Sequence, residues 1–594
     1  MSATLVPPGN RTSGSRAPRW QLPPINATEA GRLAQEAHLP LIVAELLMAR
    51  GIRNSQDAER FLHPAIEHLL DPYTMRGMRD AVTRVQAAIR RREPILIYGD
   101  YDVDGTIATV LLKTAIELLG GEARFHVPHR LREGYGMQPG VLQTAAQEGI
   151  RLVITVDTGI RDFPACEAAR SLNLDLIITD HHLPDPVTGL PPALAVLNPN
   201  QPGCEYECKH LCGAGVAFKL AQALLEDHDA QYARSRILPS FLKLLAIATV
   251  ADAVPLLGEN RVFTAIGLDQ LSRPVQAGLR TLMELAKLDP AQRKLTATDL
   301  AFRIAPRINA AGRMDIASEV VELFTTKQPQ RARELAIKLD QLNQDRRNSE
   351  ATILAEIEER LKDEDFRDAS CVIIDGDGWH RGVIGILASR VVELRGRPAI
   401  VISNQDGESH GSGRSLPGFH LLDAIQSCQD LFTRFGGHAQ AVGFSLPTER
   451  VKDLRARLVT YANSNLTDEC LRGTIDCHAV LPLDRIHPAL ASWLRQMEPT
   501  GMGNQQPVFI ARNIRVSALP RILKERHVRL QLAAGARSSN IPALGWNWAE
   551  RIASLGVTEG SVIDLAYQVR ENEHPEFGGL ELEVVDLMLA DQRP

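Results

Sequence analysis

The sequence predicts an α/β protein built in several lobes, and three observations carry that reading. Short apolar runs of strand type (PILIYGD, RLVITVD, LDLIITD) alternate with helical stretches (TIATVLLKTAIELLGG, PACEAARSLN), as in βαβ units with a parallel sheet. From Arg313 to Asp375 there is no glycine and only one proline, Pro329, so a long polar helix is expected to bridge two lobes. Near the C-terminus, HVRLQLA and LELEVVDL alternate on a period of two, which predicts an antiparallel β-domain, a small barrel.

In chain order, residues 1–29 are expected to be a disordered Pro/Gly/Ser/Arg-rich tail without the apolar core of a signal peptide. Helical periodicity follows in AHLPLIVAELLMARG and MRDAVTRVQAAIRRRE, and a catalytic lobe is expected over 30–325. A connecting helix takes 326–365, a second α/β lobe 366–465, and the β-domain 466–594. The 594 residues fit roughly four domains at about 150 residues each.

Composition narrows the function classes. Hydrophobic residues are 44% and charged residues 23%, an ordinary globular balance. Net charge is -6, from 66 Lys and Arg against 72 Asp and Glu, which excludes a wholly basic protein but not a local basic groove. The eight cysteines are too few for a disulfide scaffold, so a reducing cytoplasm is expected. The longest apolar run, Leu242 to Leu257, is broken by Lys243 and Asp252 and cannot span a bilayer.

The chemistry lies in where acids fall relative to strands. The run Ile95–Tyr98 leads into Gly99-Asp100-Tyr101-Asp102-Val103-Asp104-Gly105. Leu152–Val156 ends in Asp157-Thr158-Gly159, and Leu174–Thr179 ends in Asp180-His181-His182. Ligands of open α/β sheets bind outside the carboxyl ends of the strands, so these side chains are delivered to one edge. Asp252 closes the apolar stretch LKLLAIATVADAVPLL, where a lone carboxylate is costly unless paired or bound to a metal. Such a cluster repels itself without cations. Two divalent ions about 3.5–4 Å apart would neutralise it and could clamp the oxygens of a phosphoryl transfer. Oxygen ligands with one histidine suit Mn²⁺ or Mg²⁺ better than a thiolate zinc site.

Blander readings compete at each position. An aspartate after a strand is often a turn residue or helix N-cap. The D-x-D-x-D-G string resembles a calcium loop, but the apolar helix from Thr106 leaves no acid near its twelfth position. Cys204, Cys208, His210 and Cys212 crowd one loop without paired CxxC spacing, which argues against zinc. Arg90-Arg91-Arg92 reads as a solvated helix C-terminus.

GDYDVDG, TVDTGI, TDHH and TVADAVPL resemble, in order, the four motifs of the DHH phosphoesterases, and GSGRS with FGGHAQAVGF resembles the associated DHHA1 domain. LPPALAVLNPNQ, LCGAGVAFKL and APRINAAGR resemble the branch that degrades single-stranded DNA, from about residue 30 to the C-terminus. The resemblance implies a metal-dependent 5′→3′ exonuclease of recombination and repair that releases 5′-mononucleotides. It implies that Asp102 and Asp104 each hold one metal, that Asp157 bridges both, and that His181 and Asp252 complete the ligand set of the second metal. Asp100 would be a ligand or a supporting acid. His182 would face the scissile phosphate as electrostatic stabiliser or proton donor. Arg130, Arg307, Arg313, Ser412, Arg414 and His438 would hold the strand's phosphates. Tyr98 stands where the pyrophosphatase branch has a metal-binding histidine, which weakens that alternative. No GxxxxGK[ST] loop is present, so ATP is not expected to drive the reaction.

The C-terminal segment, with EPTGMGNQQPVF, resembles the OB-fold of the same branch. OB-folds bind single strands through basic grooves and aromatic platforms, and Trp546, Trp548, Arg526 and Arg529 are candidates against a packing role. Expected partners are single-stranded DNA, a single-strand-binding protein and a helicase, for a monomer with no membrane association. The main alternative is a family phosphodiesterase for short oligoribonucleotides or linear dinucleotides. Those resemble only the first two lobes, so the β-domain argues for long strands. A scaffold with eroded ligands is disfavoured, because every motif acid is present.

Overall fold

The structure, a computed structural model, describes residues 18–592 except 131, 135, 275, 315–316, 364–365, 367–368, 534–539 and 573–577. The chain divides into two compact units. The first comprises Glu59–Arg346 and Glu498–Gln505. The second comprises the N-terminal residues up to Ala58, Arg347–Met497 and Gln506–Pro594.

The tail expected over 1–29 is ordered at its C-terminal end, and residues 1–17 lie outside the described residues. Strand β1 (Arg19–Gln21) belongs to the second unit. Asn26 caps the helix Ala27–Glu36 by accepting from the Thr28 and Glu29 N–H groups. The helices before Ala58 therefore group with the second unit, whereas the helix Met78–Arg91 packs in the core of the first.

The first unit carries the parallel sheet the sequence predicts. Its strands are β2 (Ile95–Tyr98), β3 (Ala123–His126), β4 (Leu152–Val156), β5 (Asp175–Thr179) and β6 (Ala195–Leu197). They lie in the order β3-β2-β4-β5-β6, and every neighbouring pair is parallel. Side chains alternate between two buried faces, as a parallel sheet covered on both sides requires. Ile95, Ile97, Ile154 and Ile177 pack with the helices Val103–Leu118, Gly213–Tyr232 and Leu238–Ala251. Leu96, Tyr98, Val153 and Ile178 pack with the helices Pro139–Gln147 and Phe163–Ser171. The strands end at one edge, where β2, β4 and β5 lead into Asp100, Asp157 and Asp180.

The helix Pro329–Arg360 is the predicted connector. Leu335, Ala336 and Leu339 lie in the first unit's core, and Ile353 and Ile357 in a core of the second. The second unit opens with a mixed sheet of β7 (Val372–Asp377), β8 (Ala399–Gln405), β9 (Glu408–Arg414), β10 (Arg434–His438) and β11 (Ala441–Pro447), ordered β10-β11-β9-β8-β7. Strand β12 (Thr474–Asp476) pairs with β1, and Trp20 Nε1 donates to Asp586 at 2.8 Å, which ties the N-terminal segment to this unit.

The C-terminal sheet has seven strands: β13 (Ala479–Val480), β14 (Phe509–Arg515), β15 (Arg521–Leu523), β16 (His527–Ala533), β17 (Asn540–Gly545), β18 (Val562–Asn572) and β19 (Gly579–Leu589). The pairs β13–β14 and β17–β19 are parallel and the others antiparallel. A bridge between Val516 and Leu532 joins the β14 end to β16 and curls the sheet into a barrel. The loop from Glu498 to Gln505 departs from the expected β-domain and packs in the first unit. There Met502 O accepts the Leu256 N–H at 2.7 Å, and the buried Arg261 guanidinium donates to Glu498 O at 2.8 Å.

Candidate metal centre

Local sequence explains how each acid is aimed. Asp102 caps the helix Val103–Leu118, its Oδ1 accepting the Gly105 N–H at 3.0 Å. The N-cap reading therefore applies to Asp102 rather than Asp100. Asp104, in the first turn of that helix, accepts from the Gly213 N–H at 2.6 Å and the Ala214 N–H at 2.9 Å. Those N–H groups open the helix Gly213–Tyr232, so its dipole favours the carboxylate. A Cβ at residue 213 would lie 2.4 Å from Asp157 Oδ1 and 2.5 Å from Asp157 Cβ, so only glycine lets the helix come this close. Asp157 ends β4 with φ 61, a left-handed backbone that costs energy in a non-glycine residue and aims the carboxylate inward.

Beyond β5, Asp180 organises both histidines. Its Oδ1 accepts the His181 and His182 N–H groups at 2.8 and 3.1 Å and lies 2.7 Å from His182 Nδ1. Its second oxygen accepts the Ile160 N–H at 3.0 Å. Asn198 and Asn200 fix the same turn by donating to the His182 and His181 carbonyls. Asp252 caps the C-terminus of the helix Leu238–Ala251.

The side chains converge in three groups with ligating atoms within 4.8 Å of one another: Asp100, Asp102 and Asp157; Asp104, His181 and Asp252; and Asp157, His181 and His182. His181 Nε2 lies 3.3 Å from Asp157 Oδ1 and 3.9 Å from Asp104 Oδ2, and His181 Nδ1 lies 3.8 Å from Asp252 Oδ2. Asp157 is shared between the groups. Its Oδ1 and that of Asp100 are buried, and neither accepts a hydrogen bond among the described residues. Buried carboxylate oxygens are rarely left so. Two cations between these groups would supply the missing partners, so the donor set fits a pair of oxygen-preferring divalent metals.

The electrostatics agree. Burial first, then Asp102, push the Asp100 carboxyl up to about 8 and that of Asp104 to about 7. Burial and neighbouring carboxylates also push Asp157 and Asp252 well above the ordinary range. Burial and the His182 charge hold His181 down at about 4, the neutral state a ligand needs. Burial opposes charge on His182, but the Asp180 carboxylate outweighs it and raises the imidazole to about 9. Adjacent histidines are thus driven to opposite protonation states.

The expected phosphate-holding residues divide. Arg130 lies 5.1 Å from the Tyr101 ring centre, and Arg313 is near enough to oppose the burial that pushes the Tyr101 hydroxyl up to about 12. Both are therefore beside the acid cluster. Arg307 is not brought there. Its Nε donates to Asp340 at 2.8 Å, and its side chain braces the connecting helix. Asn309, which sequence reasoning missed, accepts the Val103 N–H at 3.2 Å and steadies the acidic turn. Ser412, Arg414 and His438 belong to the second unit. Arg414 pairs with Ala441, which pairs with His438, so the two share a row of the sheet. Arg414 Nη1 donates to Ser412 Oγ at 3.2 Å, and a Cβ on Gly385, in the helix Ile384–Arg395, would touch both side chains. Cys204, Cys208, His210 and Cys212 form no metal-sized group among the described residues.

With this geometry in hand, three family descriptions match the chain: DHH family N-terminal domain over 94–249, DHHA1 domain over 368–464, and RecJ OB domain over 477–586. Single-stranded-DNA-specific exonuclease RecJ of Bacillus subtilis is 35% identical over 558 residues, 93% of this chain and 69% of that protein. The Escherichia coli exonuclease of the same name is 34% identical over 561 residues, 90% of this chain and 94% of that protein. The crystal structure of Thermus thermophilus RecJ with Mn²⁺ superposes with a TM-score of 0.80 at 28% identity, covering 97% of this chain and 80% of that one. Its Mg²⁺ counterpart gives a TM-score of 0.74 at 27% identity, covering 97% and 78%. The chain belongs to the RecJ family of single-stranded-DNA-specific exonucleases.

Proposed function

We propose that this chain is a two-metal exonuclease that degrades single-stranded DNA from the 5′ end, releasing 5′-mononucleotides in recombination and repair. The observation that carries the reading is Asp157, a buried carboxylate shared by converging acid and histidine groups, with an oxygen that no donor among the described residues satisfies. Asp100, Asp102 and Asp157 would hold one Mn²⁺ or Mg²⁺ ion, and Asp104, His181, Asp252 and Asp157 the other. The ions, when bound, supply charge neutralisation and Lewis acidity at phosphorus.

The protein's own groups do the rest. Asp104 is held rigid by the Gly213 and Ala214 N–H groups. Water attacks phosphorus in line and gives up a proton to solvent, the P–O3′ bond breaks, the departing 3′-oxygen takes a proton from the His182 imidazolium, and His182 is reprotonated from solvent. The products are a 5′-mononucleotide with a free 3′-hydroxyl and a strand shortened by one, with a new 5′-phosphate. Arg130, Arg313, Ser412, Arg414 and His438 orient phosphates of the strand, Arg suiting them through its planar fork. Among the described residues no helix is long and apolar enough to cross a membrane. A cytoplasmic monomer that meets single-strand-binding protein and a helicase is part of the same proposal.

The test uses 3′-labelled single-stranded DNA bearing a 5′-phosphate, incubated with Mn²⁺, Mg²⁺ or chelator. Blunt duplex, 5′-blocked DNA and a short RNA oligomer run in parallel. Mononucleotide release confined to free 5′ ends of single strands, and abolished by chelator, is expected. Preference for the RNA oligomer would sink the DNA reading.

Asp180→Asn tests the proton donor. Without the Asp180 charge, the His182 imidazole falls from about 9 towards its ordinary value, so less of it is protonated above neutrality. At pH 8 the variant should lose about 30-fold in kcat, and close to pH 6 much less, for an unperturbed imidazole near about 6.5. A pH–kcat profile superimposable on the wild type would remove His182 from the donor role.

A further inference from the structure

The loop Glu498–Gln505 belongs to the first unit, although the chain on both sides of it, up to Met497 and from Gln506, belongs to the second. It docks on the turn that follows Asp252. Met502 O accepts the Leu256 N–H at 2.7 Å. A Cβ on Gly503 would lie 2.8 Å from Pro255 Cβ and 3.2 Å from Pro255 Cα, and one on Gly501 would lie 2.7 Å from Leu256 Cδ1. Gly503 also has φ 68, a left-handed backbone that favours glycine. Two glycines thus bring the loop closer to Pro255 and Leu256 than a side chain would allow.

The loop is itself firmly held. Asn504 is buried, its Nδ2 donating to Pro499 O at 2.8 Å and its carbonyl accepting the Gly501 N–H at 2.9 Å. At the loop's start, the Arg261 guanidinium that donates to Glu498 O also donates to Phe61 O at 2.6 Å and lies 3.8 Å from the Phe61 ring centre. A buried charge is costly without such partners, so the loop's backbone and this side chain fix each other. The neighbouring Asn260, also buried, donates from Nδ2 to Pro255 O at 3.1 Å and to His210 O at 2.6 Å. One amide therefore ties the turn after Asp252 to the segment that leads into Gly213, whose N–H holds Asp104.

Asp252 depends on such a brace. Asp102 and Asp104 are aimed by N–H donors, whereas the Asp252 carboxylate accepts no hydrogen bond among the described residues and faces His181 Nδ1 at 3.8 Å. Its direction is therefore set by its backbone. The next residue, Ala253, has φ 56, a strained conformation for alanine that persists only where the surroundings impose it. Met502 and Gly503 on one side and Asn260 on the other are those surroundings. Groups that orient a ligand without touching the metal govern its affinity nearly as the ligands do. We propose that the loop Glu498–Gln505 is the positioning element for Asp252 and sets how tightly the second divalent ion is held. This rests on the proposed two-metal function.

The test strips the full chain with chelator and titrates it with Mn²⁺ by calorimetry. The wild type should show two sites, and Asp252→Asn should lose one, which identifies it. Gly503→Ala should weaken that same site about tenfold or more, the scale on which groups behind a ligand act, and leave the other within about twofold. In the Asp252→Asn background Gly503→Ala should leave the remaining site unchanged, since the two substitutions act on one ligand. Gly560→Ala is the control for backbone strain: its φ is 87 and its new Cβ meets nothing within 4 Å, so both sites should stay as in the wild type. Asn504→Ala adds no atom and deletes the bond to Pro499 O, so it decides the matter if Gly503→Ala does not fold. It should weaken the same site about fivefold, the scale of one hydrogen bond. Two unaltered Mn²⁺ sites in the folded loop variant, or equal weakening of both, would overturn the positioning role alone. A wild type that binds fewer than two Mn²⁺ ions would instead overturn the function on which it rests.

Discussion

Asp157→Asn should abolish nuclease activity, by about 10³-fold or more, while leaving a folded protein. The amide keeps the shape of the side chain but removes the charge shared between the acid and histidine groups. The more telling expectation concerns stability. The wild-type carboxylate is buried beside Asp100, Asp102, Asp104 and Asp252, so the metal-free protein bears the cost of their repulsion. In chelator the variant should therefore melt no lower than the wild type. With saturating Mn²⁺ the wild type should gain about 2.7 kcal/mol at a hundredfold excess over Kd, and the variant should gain little of it. A variant that keeps both the Mn²⁺-induced shift in Tm and activity within tenfold would refute the shared-ligand role.

The same cluster sets a pH dependence. Asp100 and Asp104 are raised to about 8 and 7, so between about pH 4 and 8 the folded, metal-free protein binds more protons than the unfolded chain. Its stability must then fall as pH rises through that window, opposite to the usual carboxylate behaviour. Asp157→Asn should flatten the slope.

The edge of the sheet was legible in the sequence because strand periodicity and motif acids are local signals. PILIYGD is apolar over four residues and then abruptly acidic, and the same pattern at three strand ends is much harder to produce by chance than at one. What could not be read is tertiary. The partners of Asp104 come from Gly213 and Ala214, more than a hundred residues away, and only a glycine without a steric cost at Asp157 hints at them. Arg307 sits in the same APRINAAGR segment as Arg313 yet turns to Asp340, because a helix presents residues six apart on different faces. Asp180 stands at a strand end with no role of its own legible in the sequence, and its hold on His182 appears only with side-chain geometry. The loop from Glu498 was read by its neighbours in sequence, while its hydrogen bonds to Leu256 and Arg261 fold it into the other unit.

The second large effect is expected at a residue outside the motifs. Lys219, in the second turn of the helix whose N-terminus holds Asp104, is wholly buried with Glu259. Nζ donates to Glu259 Oε1 at 2.6 Å and to Leu70 O at 2.8 Å, and Glu259 also accepts from the Leu70 N–H and the Tyr206 hydroxyl. Burial lowers the Lys219 ammonium, and Glu259 opposes that fall. Such a pair is worth little against an apolar replacement of both partners, but removing one leaves an uncompensated buried charge. Lys219→Met should therefore cost about 3–5 kcal/mol, read as a drop in the first thermal transition. Lys219→Met with Glu259→Leu should recover part of the loss, though not all, because the Tyr206 hydroxyl and the Leu70 backbone stay unpaired. A single variant within about 1 kcal/mol of wild type would show that the network tolerates a bare carboxylate. Because the pair anchors the helix that presents the Gly213 and Ala214 N–H groups, the loss should extend to Mn²⁺ affinity. The core beneath the sheet edge thus governs the centre through one helix N-terminus.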